Sequence, residues 1–210
     1  MLRYMKSLIN KIVHKLFKRK QHVKLGLYGP PNGGKTTLAN KICQDWLGED
    51  LGITSNIPHE TREIQIKEQI TIKKDRKELT FNLVDTPGIA TKIDYEDFMK
   101  AGLSESESKK RAKEATKGVI DAIKWLDEID AVVVVLDGTK DPYTQVNITI
   151  VGNLQARNTP VLIVANKTDL RRANVKRIQN AFPQYDVIGI SAKTGKNIEK
   201  LYSSLFEIAG

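Results

Sequence analysis

The chain has 210 residues, 40% of them apolar, enough to bury one core and too many for disorder throughout. Its formal charge of +9 is unevenly placed: eight of the 34 Lys and Arg fall within residues 1–24, ahead of the first acid, Asp45, and the rest carries 26 basic against 25 acidic residues. That argues against a domain whose whole face grips nucleic acid, so no DNA contact is expected; the single cysteine, Cys43, excludes an internal disulfide, and no apolar run reaches the roughly 18 residues of a membrane span.

Residues 1–21 read as a basic amphipathic helix set apart from a domain of 22–210. Leu2, Met5, Leu8, Ile9, Ile12, Val13, Leu16 and Phe17 recur at helical spacing and fill about half of a helical wheel, with Arg3, Lys11, His14, Lys15 and Lys18 on the other side. Lys6, Lys11 and Lys15 break any apolar core of a secretory leader. Such a helix can pack on its own domain, lie on an anionic membrane surface, or dock on RNA or a protein partner. The setting expected is cytoplasmic, with peripheral attachment at the inner membrane surface left open.

From Val23 onward, strand and helix patterns alternate. Val23–Tyr28 reads as a strand and Thr36–Leu47 as a helix. Ile64–Ile72 and Leu79–Val84 read as two strands joined by the polar turn K-K-D-R-K-E. Residues 91–118 form a long charged stretch with no strand signal, in which Ser104 and Glu107 are spaced as a capping box opening a solvated helix. A helix follows at Val119–Glu128, then the continuous apolar run Ala131–Leu136, as expected of a parallel strand covered on both faces. Helices at Tyr143–Ala156, Val175–Ala181 and Ile198–Ile208 alternate with strands at Val161–Ala165 and Val187–Ile190. The alternation predicts an α/β fold: a doubly wound, mostly parallel sheet of about six strands with helices on both faces. Ligands of such sheets bind at the carboxyl ends of the strands. Cys43, Trp46 and Trp125 are expected to pack, and the three histidines have no metal-ligand spacing.

Residues 29–37 read G-P-P-N-G-G-K-T-T, and Gly29, Gly34, Lys35 and Thr36 match G-x-x-x-x-G-K-[ST]. Phosphate oxygens must approach several backbone N–H groups at once, and side chains would block them. Pro30, Pro31, Asn32 and Gly33 complete the loop, and Thr37 lies in the first turn of the helix behind it. Lys35 can reach the β- and γ-phosphates, and the Thr36 hydroxyl can ligate Mg²⁺. Val84-Asp85-Thr86-Pro87-Gly88 follows a strand; Asp85 can hold Mg²⁺ and Gly88 can offer its N–H to a γ-phosphate. Asn166-Lys167-Thr168-Asp169 follows V-L-I-V-A. A carboxylate such as that of Asp169 accepts from guanine N1–H and N2–H₂, whereas adenine would face it with another acceptor. The Lys167 stem can lie over the purine, and Ser191-Ala192-Lys193 can supply a backbone N–H to guanine O6.

Together these boxes resemble those of small Ras-like GTPases, of the class that contains Era, EngA and TrmE, over roughly residues 23–208. The resemblance implies the P-loop GTPase fold, GTP or GDP with Mg²⁺ as ligands, slow hydrolysis of GTP, and an effector protein engaged by switch regions. Pro58-His59-Glu60-Thr61-Arg62 is similar to the P-x-T-T-R segment of Era-type proteins, with Glu60 in place of the usual Thr. On that likeness Thr61 joins Thr36 and Asp85 around Mg²⁺. After D-T-P-G stands Ile89, where Ras-type enzymes place a glutamine that orients the attacking water. The resemblance therefore points to the hydrophobic-substituted group, with Lys35, Thr61, Gly88 and Asn32 acting on the transferred phosphate. Asn32 occupies the position at which potassium-activated TrmE-like enzymes carry an asparagine that helps bind K⁺. Era reaches RNA through a KH domain; here the chain stops at Gly210 after the last helix, so RNA contact would fall to residues 1–20. A ribosome or RNA assembly factor and a membrane-docked regulator with little hydrolysis stand as alternative readings, and GTP-dependent dimerisation is left open.

Overall fold

The structure, a computed structural model, describes residues 23–51, 63–74, 77–90 and 93–209. The expected N-terminal helix and Thr61 lie outside the described residues. Six strands form one sheet: β1 (Val23–Tyr28), β2 (Gln65–Lys74), β3 (Lys77–Asp85), β4 (Ala131–Asp137), β5 (Val161–Asn166) and β6 (Asp186–Gly189). Their order is β2-β3-β1-β4-β5-β6; β2 runs antiparallel to β3 and every other pairing is parallel. The helices are α1 (Lys35–Leu47), α2 (Tyr95–Lys100), α3 (Glu105–Trp125), α4 (Gln145–Ala156), α5 (Val175–Ala181) and α6 (Ile198–Ala209). The doubly wound, six-stranded architecture expected from the alternation is the one observed.

β1 lies between β3 and β4. The chain leaves β1 toward β2 and β3 on one side, then crosses to β4 on the other. The carboxyl end of β1 is therefore where connections diverge and a crevice opens, the usual seat of a ligand in such sheets. Each face of the sheet carries its own apolar layer. Val133, Val135, Leu162 and Val164 pack with Leu38 and Ile42 of α1 and Leu201 and Leu205 of α6. Val132, Val134, Leu136 and Ile163 pack with Ile150 and Leu154 of α4. Successive strand side chains point to opposite faces, so a strand covered twice must be apolar at every position. That accounts for the unbroken A-V-V-V-V-L. Cys43 is buried in the first layer.

The charged stretch before β4 differs most from expectation. The helix expected to open at Ser104 and the one expected over Val119–Glu128 are a single helix: α3 runs from Glu105 to Trp125, with a 3₁₀ turn over Leu126–Glu128. The capping box is formed: Glu107 N–H donates to Ser104 Oγ at 3.4 Å, and Ser104 N–H donates to Glu107 Oε2 at 3.1 Å. The buried face of α3 is built from Ser108, Ala115, Gly118 and Ala122. These side chains are too small to make an apolar period visible, which is why the periodicity reads only from Val119. α2, capped by Asp94, lies against α3 and buries Phe98.

Two outcomes follow from this packing. Ser104→Ala removes the cap acceptor and should cost about 1 kcal/mol in urea unfolding, with faster amide exchange confined to the first turns of α3. Burial pushes the Cys43 thiol up to about 11 from an ordinary value of 9.0. The raised value contributes stability below pH 9 that is lost as pH rises through about 11. At pH 8 the folded chain should therefore alkylate with iodoacetamide at least about 100-fold more slowly than the urea-unfolded chain.

Candidate nucleotide site

The loop after β1 is pressed between neighbouring segments. Gly33 N–H donates to Pro30 O at 3.3 Å, and Gly34, at φ 92°, forms the N-cap of α1. A Cβ on Gly34 would run into the side-chain amide of Asn166, so both the conformation and the space call for glycine. The D-T-P-G segment lies directly against this loop. Thr86 Oγ1 donates to Leu27 O at 2.7 Å and Ile89 N–H to Gly29 O at 3.1 Å. A Cβ on Gly88 would stand 2.7 Å from Pro31 Cα. α1 opens without a side-chain cap and without an acid in its first turn, which leaves the positive end of its dipole turned toward the loop.

Two buried charges sit beneath the loop. Lys35 is 6% exposed, and its ammonium donates to Gly29 O at 3.3 Å and Pro30 O at 3.1 Å. Burial pulls it down to about 8, against the opposing pull of Asp85. Asp85 is fully buried; its Oδ2 accepts from Thr36 Oγ1 at 2.6 Å, and its Oδ1 has no hydrogen-bond partner. Burial pushes its carboxyl up to about 6, against the Lys35 ammonium and the Thr36 hydroxyl. An unpartnered carboxylate oxygen beside a hydroxyl at a phosphate-type loop is a donor set that suits a hard, oxygen-seeking cation such as Mg²⁺. Among the described residues no group of three or more His, Cys, Asp or Glu is placed to hold a metal ion by itself. A cation here would be held by the Asp85 carboxylate and the Thr36 hydroxyl, with ligand and water oxygens completing its shell, which is the usual habit of Mg²⁺.

Asn166 joins this half of the site to the other. Its Nδ2 donates to Gly33 O at 3.0 Å, while its Oδ1 accepts from Lys167 N–H at 2.8 Å and Ala192 N–H at 2.9 Å. The amide of Ala192 is thus spent on Asn166 and not left for a ligand. The Lys167 ammonium donates to Asn32 O at 2.7 Å and to Asp137 Oδ2 at 2.8 Å. Asp169 is exposed, and the Ser191 hydroxyl beside it holds its carboxyl below the usual carboxylate range. The cleft so formed has a volume of about 770 Å³ and is lined among others by Asn32, Asp137, Lys140, Lys167, Asp169 and Lys193.

Gly29 to Thr37, Asp85, Gly88, Asn166, Lys167, Asp169 and Ser191 to Lys193 therefore gather on one rim, at the carboxyl ends of β1, β3, β5 and β6. Asn32, at φ 58°, is exposed on that rim. Ile89 is buried in the second apolar layer with Tyr28 and Ala122. The motif reading did not single out Asp137, Lys140 or Leu170, which also line the cleft. The signal available was L-D-G-T-K, an acid closing an apolar strand run.

Over residues 24–167 the chain matches the family described as 50S ribosome-binding GTPase. The chain belongs to this GTPase family. It is 30% identical over 193 residues to GTPase Era of Alkaliphilus oremlandii, covering 86% of this chain and 54% of that protein. It is 26% identical over 200 residues to GTPase Der of Clostridium novyi, covering 90% of this chain and 40% of that protein. The chain thus spans about half or less of the length of these curated relatives. The fold is shared with Era of Aquifex aeolicus bound to GDP and AlF₄⁻, at a TM-score of 0.68 and 22% identity over 91% of this chain and 58% of that one. It is shared as well with a probable GTP-binding protein, engB, at a TM-score of 0.55 and 22% identity over 89% of this chain and 98% of that one. The resemblance to Era-type GTPases drawn from the motifs is borne out.

Asn166→Ala strands the buried Ala192 N–H, the half-buried Lys167 N–H and the Gly33 carbonyl. It should lower stability by about 2–4 kcal/mol in urea unfolding, more than an exposed Asn→Ala change such as one at Asn180.

Proposed function

We propose that the protein binds GTP and GDP with Mg²⁺, hydrolyses GTP slowly to GDP and phosphate, and works as a nucleotide-dependent switch. The observation that carries this reading is the Asn166 carboxamide, which fastens the phosphate-type loop, the N-K-T-D turn and the S-A-K turn around one cleft. The amides of residues 29–37 would surround the phosphates, and Lys35 would exchange two loop carbonyls for phosphate oxygens, a better match for a buried ammonium. Thr36, Asp85 and, on the family likeness, Thr61 would hold Mg²⁺, which when bound would offset the charge of the phosphates. Gly88 would present its N–H to the γ-phosphate, Asp169 would select guanine, and the Ser191-Ala192-Lys193 turn would lie by guanine O6.

The Ile89 side chain is turned into the core, so nothing at that position can orient a water. Slow turnover follows, and K⁺ held with the help of Asn32 is the assistance proposed. GTP would order the segments around Thr61 and Gly88, and hydrolysis would release them to an effector. A second reading, a partner on the ribosome, is favoured by the family description and by a solved Era structure that contains MgGDPNP and a segment of 16S ribosomal RNA. Residues 1–20 are the proposed contact for RNA or for an anionic membrane surface.

Labelled GTP with Mg²⁺ should bind and resist ATP; equal displacement by ATP, or no binding, overturns the reading. Lys35→Ala should weaken GTP at least about 100-fold. Asp169→Asn sets a donor against guanine's donors and should weaken GTP by a similar factor, about 100-fold, while leaving the fold intact. Turnover should be faster in KCl than in equimolar NaCl; equal rates remove the K⁺ role.

A further inference from the structure

Asp137 has no place in the motifs. It closes β4, paired in register with Asn166 at the end of β5, and it lines the cleft. Its two carboxylate oxygens do different things. Oδ1 accepts from Thr139 N–H at 2.9 Å and from the Thr139 hydroxyl at 2.7 Å. Oδ2 accepts from the Lys167 ammonium at 2.8 Å, and that ammonium donates in turn to Asn32 O at 2.7 Å. The Thr139 bonds orient the carboxylate from behind. Lys167, at φ 65°, holds a left-handed backbone uncommon for a side-chain-bearing residue. The ion pair is half sheltered, with the Asp137 side chain 11% and the Lys167 side chain 31% exposed. Solvent therefore screens it less than the lysine pairs on the surface.

We propose that Asp137 is a positioning residue for guanine nucleotide: it pins the Lys167 ammonium against the Asn32 carbonyl, so that the Lys167 stem forms a fixed wall between the base end and the phosphate end of the cleft. This rests on the GTP-binding reading above. Burial, the largest influence on Asp137, works against its charge, yet the bonds from Lys167 and Thr139 outweigh it and hold the carboxyl below its ordinary range. Asp137 is thus ionised at neutral pH. Without that charge Lys167 keeps one carbonyl partner and regains rotamer freedom that a bound nucleotide must then remove.

Asp137→Asn separates the two functions of the side chain. Its amide oxygen can still accept from Thr139, which leaves an NH₂ facing the ammonium, donor against donor. In the full chain, release of mant-GDP should quicken about tenfold. KM for GTP should rise by a similar factor, with kcat at saturation within about twofold of the parent. Lys167→Ala should also quicken release, and Asp137→Asn added to it should change release by less than about twofold, because the first change has removed the group through which the second acts. Asp137→Glu should restore most of the retention. Release from the Asn variant equal to the parent's, or a full multiplicative effect on top of Lys167→Ala, overturns the inference. Should the Asn variant fold poorly, the same cycle with Asp137→Ser gives the same discrimination. A parent chain that binds no mant-GDP overturns the function reading and this inference together; a parent that binds while the variants do not differ overturns this inference alone.

Discussion

One carboxamide holds the rim together. Asn166 uses its donor on the phosphate-type loop and its acceptor on two turns that follow different strands. A shorter side chain could not span the three, a carboxylate would lack the donor for Gly33 O, and a longer amide would not fit beneath Gly34. The same contact explains a glycine in a motif more than a hundred residues away, because the space beside Gly34 is filled by the Asn166 amide. Buried polar groups of this kind are costly unless every partner is in place. Satisfied, they fix one arrangement of loops that would otherwise be free to drift.

The charges follow the same logic of mutual dependence. Lys35 and Asp85 are both buried, and each is driven toward its neutral form by burial while being held charged by the other. Neither is saturated by its present partners: the ammonium leans on two carbonyls of its own loop, and one carboxylate oxygen is bare. An anion above Lys35 and a cation beside Asp85 would each complete a coordination that the protein leaves short. A triphosphate with a divalent ion brings both at once.

Much of this was legible in the residues, and for identifiable reasons. Strands buried on both faces must be apolar throughout, so β1, β4 and β5 announced themselves. The loop residues could be read because close approach to phosphate leaves few substitutes for glycine. The continuity of α3 from its cap to Trp125 is hidden in the residues because its packing seam is Ser108, Ala115, Gly118 and Ala122, whose small side chains carry little hydrophobic contrast. Its start was nevertheless marked by Ser104 and Glu107, since capping is local chemistry. Asp137 was missed because its partners, Thr139 and Lys167, come from a turn and from a separate strand end, and no spacing in the chain announces the second. The engagement of the Ala192 amide was likewise a matter of tertiary geometry.

The seating of the rim on β1, β4 and β5 has a thermodynamic meaning. These strands are covered by both apolar layers, and such elements open only when the whole domain opens. The strand ends that carry the cleft therefore stay together for as long as the domain is folded. Any ligand that fits there draws the entire folding equilibrium with it, in proportion to the logarithm of its concentration over its dissociation constant.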